Sequence, residues 1–400
     1  MTVEIAQPPG PQSVGNLTDV LVESLKRSFD TDLGIEGKVT LDISDGDPWT
    51  LRFEDGDIAL SSGKASRSDT TVITDSATMI SLLNGSRSGI EAFLAGDLRV
   101  RGSLALSLKL SGSLVDADAP RRIPRARAIV AGGIDTFYLE AGTGDPIILL
   151  HGLAATNASM LTTLWDLATD YRVIAPDLPG CGASAKPVRP YHAAFFARWL
   201  TDFLDGLGIE RCHLVGNSLG GRVALEVGMR MPERVNRLVL LAPSPAFLRR
   251  REFVRLVGLL RPELALLPVP VGHDRVRKII RSMFAKPDRL PGPWYDAAAD
   301  EFLRVFSSPR GRIAFFSAAR QIYLEEPHGE EGFWDRLPSM KRPALFVWGD
   351  RDWLVPARFE RHVVAAIPGA RSVVFEDCGH VPQYEHPDRT HGLIREFLGT

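Results

Sequence analysis

The chain has 400 residues, 44% of them hydrophobic, which is too long for one small domain and enough apolar material for two cores. A formal charge of −2 excludes the strongly basic balance of a nucleic-acid binder and any dominant acidic tail. Three cysteines, Cys181, Cys212 and Cys378, cannot build a disulfide framework and contain no CxxC pair, so a reducing compartment is expected.

Residues 1–15 (MTVEIAQPPGPQSVG) are rich in proline and glycine and are expected to be disordered. They contain no basic stretch followed by an apolar one, and no later run nears the roughly 18 apolar residues of a spanning helix. A soluble, cytoplasmic protein is the expectation. From Asn16 to Phe29, Leu17, Val20, Leu21 and Leu25 recur at helical spacing. The period then becomes two. Val39, Leu41 and Ile43 alternate with polar residues, as do Trp49, Leu51 and Phe53, and Asp55-Gly56 supplies a hairpin turn returning through Ile58 and Leu60. Thr70–Thr74 reads as another strand. Helical stretches follow around Ala77–Leu83 and Ile90–Leu94, and a final pair of segments, Leu98–Arg101 and Leu104–Leu110, completes the unit. The prediction is an α+β domain with helices on one face of a largely antiparallel sheet. Residues 1–115 carry 10 basic and 16 acidic groups, which leaves the remainder mildly basic.

Residues 113–125, rich in charge and proline, read as a linker. Ala128–Ala131 and Ile134–Glu140 then resemble a hairpin around Gly132-Gly133. Apolar runs recur at Ile147–Leu150, Val173–Ala175, His213–Val215, Leu238–Leu241, Ala344–Trp348 and Val373–Phe375, each followed by helical sequence. That alternation predicts a mostly parallel sheet covered on both faces. It breaks over about 246–337, a helical, proline-punctuated stretch read as an inserted cap.

Gly216-Asn217-Ser218-Leu219-Gly220 directly follows the strand His213–Val215 and opens a helix. A G-x-S-x-G match alone is weak, but a sharp strand-to-helix turn tolerates little bulk. Flanking glycines are expected to allow the strained backbone that presents a serine hydroxyl. A neutral hydroxyl needs a base, and the base an orienting carboxylate. Ala344–Trp348 runs into Gly349-Asp350-Arg351-Asp352, and Val373–Phe375 runs into Glu376-Asp377-Cys378-Gly379-His380. In a parallel sheet these loops leave at the same edge as Ser218. The expectation is Ser218 as nucleophile, His380 as base and Asp352 as acid. Asp350 is held as the alternative acid or as a turn-forming residue, and Glu376 and Asp377 lie near His380 itself. The backbone N–H groups of Leu153 and Leu219 are the expected oxyanion donors. His151 reads as a structural residue holding its loop, and His386 and His391 as ordinary surface or helix residues. No cofactor and no metal is implied.

Residues from about 126 to 400 resemble the α/β-hydrolase superfamily. The resemblance rests on HGLAA (His151–Ala155), APDLPGCGAS (Ala175–Ser184), GNSLGG (Gly216–Gly221), WGDRDWLVP (Trp348–Pro356) and CGH (Cys378–His380). It implies an α/β fold with a helical cap insertion, and it supports Asp352, four residues before Pro356, as the acid. Serine rather than aspartate at the nucleophile position argues against dehalogenase or epoxide-hydrolase chemistry. GNSLGG also resembles the elbow of hydrolases that cleave carbon–carbon bonds in ring-fission products. This chain departs from them, with HGLAATN in place of a glycine-rich HGGGPG loop and Val381 after His380. An acyl ester is the simpler expectation.

WTLRFEDGDIAL (Trp49–Leu60) and AFLAGDLRVRGSLALSLKL (Ala92–Leu110) are similar to the sterol-carrier-protein-2 family, covering about residues 16–112. That implies a small α+β domain with an apolar tunnel for acyl or sterol ligands. A ligand-free packing module is the alternative. Within the cap, Arg249, Arg250, Arg251, Arg255 and Arg261 interleave with apolar residues, and Arg275, Arg277, Lys278 and Arg281 surround Ile279 and Ile280. Such a pattern suits a lipid surface or an amphiphilic, anionic substrate. It equally suits a cap that buries its apolar faces on the core and leaves its arginines solvated.

Overall fold

The computed structural model describes residues 3–6, 21, 36–54, 57–113, 122–246 and 271–399. Contacts divide the chain into two units, Met1–Arg127 with Leu290–Arg304, and Ala128–Arg289 with Val305–Thr400.

The first unit is built on a six-stranded sheet of β1 (Val3–Ala6), β2 (Gly37–Ile43), β3 (Trp49–Glu54), β4 (Asp57–Ser62), β5 (Thr70–Thr74) and β6 (Arg99–Gly102), in the order β1-β4-β3-β2-β5-β6. The period-two pattern is obeyed: Val39, Leu41, Ile43, Trp49, Leu51 and Phe53 are all buried. The sheet is more mixed than expected, because β1 pairs parallel with β4 and β2 parallel with β5. Four residues expected to be disordered, Val3–Ala6, are a paired strand. Their own alternation of Val3 and Ile5 with polar and small residues suits a sheet edge. Asp55-Gly56 and all of the helix expected over 16–29 except Leu21 lie outside the described residues.

The helices α1 (Ser76–Leu83), α2 (Gly89–Ala95) and α3 (Leu104–Ser113) accompany this sheet. Asp75 caps α1 through Thr78 N at 2.6 Å, and Ser88 and Glu91 form a reciprocal capping box on α2. In α3 the leucines at 104, 106, 108 and 110 alternate as in a strand, yet the segment is helical. Its first turn shows why. Ser103 Oγ accepts from Leu106 N at 3.2 Å, and the buried carboxylate of Glu301 accepts from Leu104 N at 3.1 Å. Asp300 accepts from Arg101 Nε at 2.7 Å and from Gly102 N at 3.0 Å. Leu290–Arg304 therefore packs with the first unit, although its position in the chain places it within the expected cap.

The second unit holds an eight-stranded sheet. Its elements are β7 (Arg125–Ala131), β8 (Ile134–Ala141), β9 (Pro146–Leu150), α4 (Leu161–Leu167), β10 (Arg172–Pro176), α5 (Ala193–Gly206), β11 (Cys212–Asn217), α6 (Leu219–Arg230) and β12 (Val235–Leu241). After the insertion come β13 (Ala344–Gly349) and β14 (Arg371–Phe375). The order is β14-β13-β12-β11-β9-β10-β8-β7, parallel from β14 to β10 and closed by antiparallel β8. Every residue of β11 and β13 is buried, as continuous apolar runs require in a sheet covered on both faces.

Between β12 and β13, residues 247–270, which include Arg249, Arg250, Arg251, Arg255 and Arg261, lie outside the described residues. Beyond them come α7 (His273–Ser282), α8 (Gly292–Ser307), α9 (Pro309–Tyr323) and the single turn Phe333–Arg336, with no strand among the described residues. The last helices are α10 (Glu360–Ala366), α11 (Pro382–Glu385) and α12 (Pro387–Leu398). His391, on α12, is buried against Thr163 at 3.1 Å, and burial pushes its pKa down to about 4.

A buried ion network ties α6 to the end of the insertion. Arg222 has no exposed surface; it reaches Glu325 Oε2 at 2.8 Å and Glu226 Oε2 at 2.8 Å, with the Phe333 ring 4.6 Å from its guanidinium carbon. Arg336 adds bonds of 3.0 and 3.2 Å to Glu226. Removing one member of such a network leaves a charge uncompensated in a dry site. Arg222→Ala is expected to lower unfolding stability in urea by about 3–5 kcal/mol. A loss below about 1 kcal/mol would mean that Glu226 and Glu325 are satisfied without it.

Candidate active site

The strand β11 ends at Asn217, and α6 begins at Leu219, so the chain reverses within one residue. Ser218 carries that reversal at φ 54° and ψ −114°, a region that side chains rarely occupy. Backbone bonds brace it on both sides: its N–H donates to Leu241 O at 3.0 Å, and its carbonyl accepts from Ser244 N and Arg222 N, each at 3.0 Å. The glycines serve through their lack of bulk. Neither Gly216 nor Gly220 has a positive φ. They are needed for close approach, since a Cβ at Gly220 would lie 2.0 Å from Leu150 O and one at Gly216 would lie 2.4 Å from the Gly220 backbone. The strain is on the serine, and the glycines make room for it.

The loops after β13 and β14 leave at the same edge of the sheet. His380 Nδ1 lies 2.7 Å from Asp352 Oδ2, and both residues are buried. The other carboxylate oxygen of Asp352 accepts from Leu354 N at 2.8 Å and Val355 N at 2.9 Å, which fixes its orientation. Asp350 instead accepts from Cys378 N at 3.1 Å and so ties the two loops together. Asp377 is exposed to Lys286 and Arg351, whose charges help hold its carboxyl below the usual range. Only Asp352, of the acidic residues weighed from the sequence, meets the imidazole.

On the other side of the elbow, Leu219 is the first residue of α6, where N–H groups lack intrahelical acceptors. The loop after β9 lies against it: a Cβ at Gly152 would be 3.3 Å from Ser218 Cβ. Leu153 follows directly. His151 is held by two bonds, from Nδ1 to Gly152 O at 2.8 Å and to Nε2 from Leu178 N at 2.9 Å. Full burial pushes its pKa down to about 4, so the ring is neutral at pH 7 and serves as a brace.

Several residues in this setting carry no signal in the sequence. Ser218 Oγ is 3.4 Å from Ser244 Oγ, and among the described residues it makes no hydrogen bond to His380. Ser244 is bonded in turn to Tyr323, whose hydroxyl is pushed up to about 12 by burial and by the nearby Asp352 carboxylate. Asn217 Nδ2 donates to Leu241 O at 3.0 Å and to His380 O at 3.1 Å. Glu385 is buried and accepts from Gly379 N and Ala285 N, both at 2.7 Å, while His380 N donates to Met283 O at 2.8 Å. The loop that carries His380 is thereby fastened to the insertion. Only the spacing of Glu385, five residues beyond His380, could have drawn notice.

A serine on a strained backbone at a helix N-terminus, next in the chain to Asn217, whose amide bonds the His380 carbonyl, and an imidazole oriented by a buried carboxylate are the groups that nucleophilic acyl transfer calls for. Among the described residues no group of three side chains is arranged to hold a metal ion.

Comparison with known proteins agrees with this architecture. The family model described as alpha/beta hydrolase fold matches residues 145–387, and that of the SCP-2 sterol transfer family matches residues 33–115. The 2-hydroxymuconate semialdehyde hydrolase of Pseudomonas sp. strain CF600 is 31% identical over 291 residues, covering 70% of this chain and 96% of its own. Among solved structures, a bacterial membrane phospholipase A is 27% identical with a TM-score of 0.59, covering 69% of this chain and 86% of its own. A meta-cleavage product hydrolase from Pseudomonas fluorescens IP01 is 25% identical with a TM-score of 0.57, covering 68% of this chain and 97% of its own. The chain belongs to the alpha/beta hydrolase fold family and carries an SCP-2 sterol transfer domain before its hydrolase domain.

Proposed function

We propose that the chain is a serine hydrolase that cleaves an acyl ester of an apolar or lipid-like molecule. Ser218 attacks the carbonyl carbon while His380 takes its proton. The tetrahedral oxyanion is held by the N–H groups of Leu153 and Leu219. Collapse expels the alcohol, which takes the proton from His380 and leaves an acyl-enzyme on Ser218. Water, deprotonated by His380, then releases the acid. Asp352 keeps the imidazole in the tautomer that accepts at Nε2 and stabilises it when protonated. The observation that carries this reading is the 2.7 Å contact between His380 and Asp352 at the sheet edge where the strained Ser218 stands. In the resting geometry the hydroxyl lies 3.4 Å from Ser244 Oγ, and this reading requires it to turn from there to His380. The N-terminal sterol-carrier-like domain supplies an apolar site for the acyl chain or a related lipid.

A second reading has its own support, in the GNSLGG elbow and in the relatives named as hydrolases of ring-fission products. The same serine machinery would then cleave a carbon–carbon bond in a vinylogous diketone.

Ser218→Ala is expected to lower turnover by about 10⁴–10⁶ with the fold intact, and near-normal turnover would end the proposal. Asp352→Asn should lower kcat by about 10⁴, whereas Asp350→Asn should cost less than about tenfold, because it loses only a bond between loops. Equal losses in the two variants would remove Asp352 from its assigned role. Purified chain should hydrolyse p-nitrophenyl acyl esters faster than it cleaves a ring-fission dienoate; the reverse order selects the carbon–carbon reading.

A further inference from the structure

Among the described residues five large hydrophobic side chains are exposed, and two of them are Ile279, in the last turn of α7, and Trp353, whose indole bonds that turn. Trp353 is 57% exposed and Ile279 47%. The indole Nε1 donates to Ser282 O at 2.8 Å, and Ser282 Oγ donates to Ile279 O at 2.7 Å, so the tryptophan is held against the last turn of the helix. On α7 the residues Arg275, Lys278, Ile279 and Ser282 share one stripe at i, i+3, i+4 and i+7, and all four are exposed. Val276, on another face, is the helix's one buried residue.

The charge on this stripe is unbalanced. The helix holds Arg275, Arg277, Lys278 and Arg281 against Asp274. Arg281 is committed to Asp288 at 2.7 Å, while Arg275 and Lys278 make no ion pair among the described residues. A helix that buries its apolar side on the core and solvates its cations would not leave an isoleucine exposed on the same stripe as two unpaired cations, with a tryptophan at its end. That combination matches the headgroup region of an anionic bilayer, where an indole and an aliphatic chain enter the interface and cations meet phosphate.

We infer that the exposed stripe of α7, tipped by Trp353, is a docking surface for an anionic phospholipid bilayer. Its position matters to the chemistry. Trp353 follows Asp352, and Met283, which follows Ser282, accepts the backbone N–H of His380. The surface therefore borders the loops that carry the acid and the base, and docking brings an amphiphile's ester to that edge. The delivery role rests on the acyl-hydrolase reading, whereas the surface itself does not.

The test uses full-length Ser218→Ala protein, so that binding is read without turnover. It is mixed with vesicles of phosphatidylcholine alone, or of equal parts phosphatidylcholine and phosphatidylglycerol, and bound protein is measured by flotation. Binding is expected on the mixed vesicles, weaker on neutral ones, and reduced by salt. Arg275→Glu with Lys278→Glu should lower the partition coefficient at least tenfold, and Trp353→Ala should lower it severalfold. Circular dichroism matching the parent certifies each fold. No binding, equal binding to both vesicle types, or parent-like binding by the double charge reversal overturns the inference. Vesicle binding by a chain whose wild type cleaves no ester removes the acyl reading alone, and ester turnover without vesicle binding removes the surface alone.

Discussion

At Ser218 the chain passes from the centre of a buried sheet into a helix within a single residue, and the geometry of the second unit follows from how that reversal is accommodated. A serine at φ 54° costs on the order of 1–3 kcal/mol and persists only when its surroundings hold it there. Three backbone hydrogen bonds do so, one donated to Leu241 O and two accepted from Ser244 N and Arg222 N. The helix must also press so closely on β9 that position 220 has no room for a Cβ. That approach draws the loop after β9 against the elbow. One constraint thus sets the hydroxyl, the helix N-terminus and the Gly152–Leu153 loop together.

The other half of the site is organised by carboxylates, Asp352 and Glu385 buried and Asp350 exposed, each with a separate load. Asp352 divides its two oxygens between the His380 ring and the N–H groups of its own turn. Asp350 joins the loop of Asp352 to the loop of His380, and Glu385 joins the His380 loop to the insertion. Glu226 does similar work one helical turn behind Arg222, where three arginines converge on it and offset the desolvation of its buried carboxyl, leaving its pKa at about 2. Acidic groups here are structural ties as often as chemical ones. Proximity to a histidine in sequence therefore says little about which carboxylate reaches the imidazole.

What could be read in advance follows from this. The strands leading to the elbow were legible because fully buried parallel strands are continuous apolar runs. The loops that carry Asp352 and His380 were legible because a polar cluster directly follows such a run. Leu104–Leu110 was harder, because its alternating leucines mimic a strand while the acceptor that caps its helix, Glu301, lies far away in the chain. The same distance hid the pairing of Leu290–Arg304 with the first unit. Ser244 reaches Ser218, and Tyr323 reaches Ser244, only through folding, one from just beyond β12 and one from the last residue of α9. No local spacing encodes such a meeting.

The central claim is that Ser218, and no other hydroxyl, is the nucleophile. Ser244 Oγ lies 3.4 Å away and is equally buried, which makes it the sharpest internal control. The direct measurement is to treat folded wild-type protein with a fluorophosphonate, digest it and locate the adduct by peptide mass spectrometry. The account predicts a single phosphonylated residue, Ser218, with labelling abolished by His380→Ala. An adduct on Ser244, or no adduct on protein shown to be folded, would contradict it.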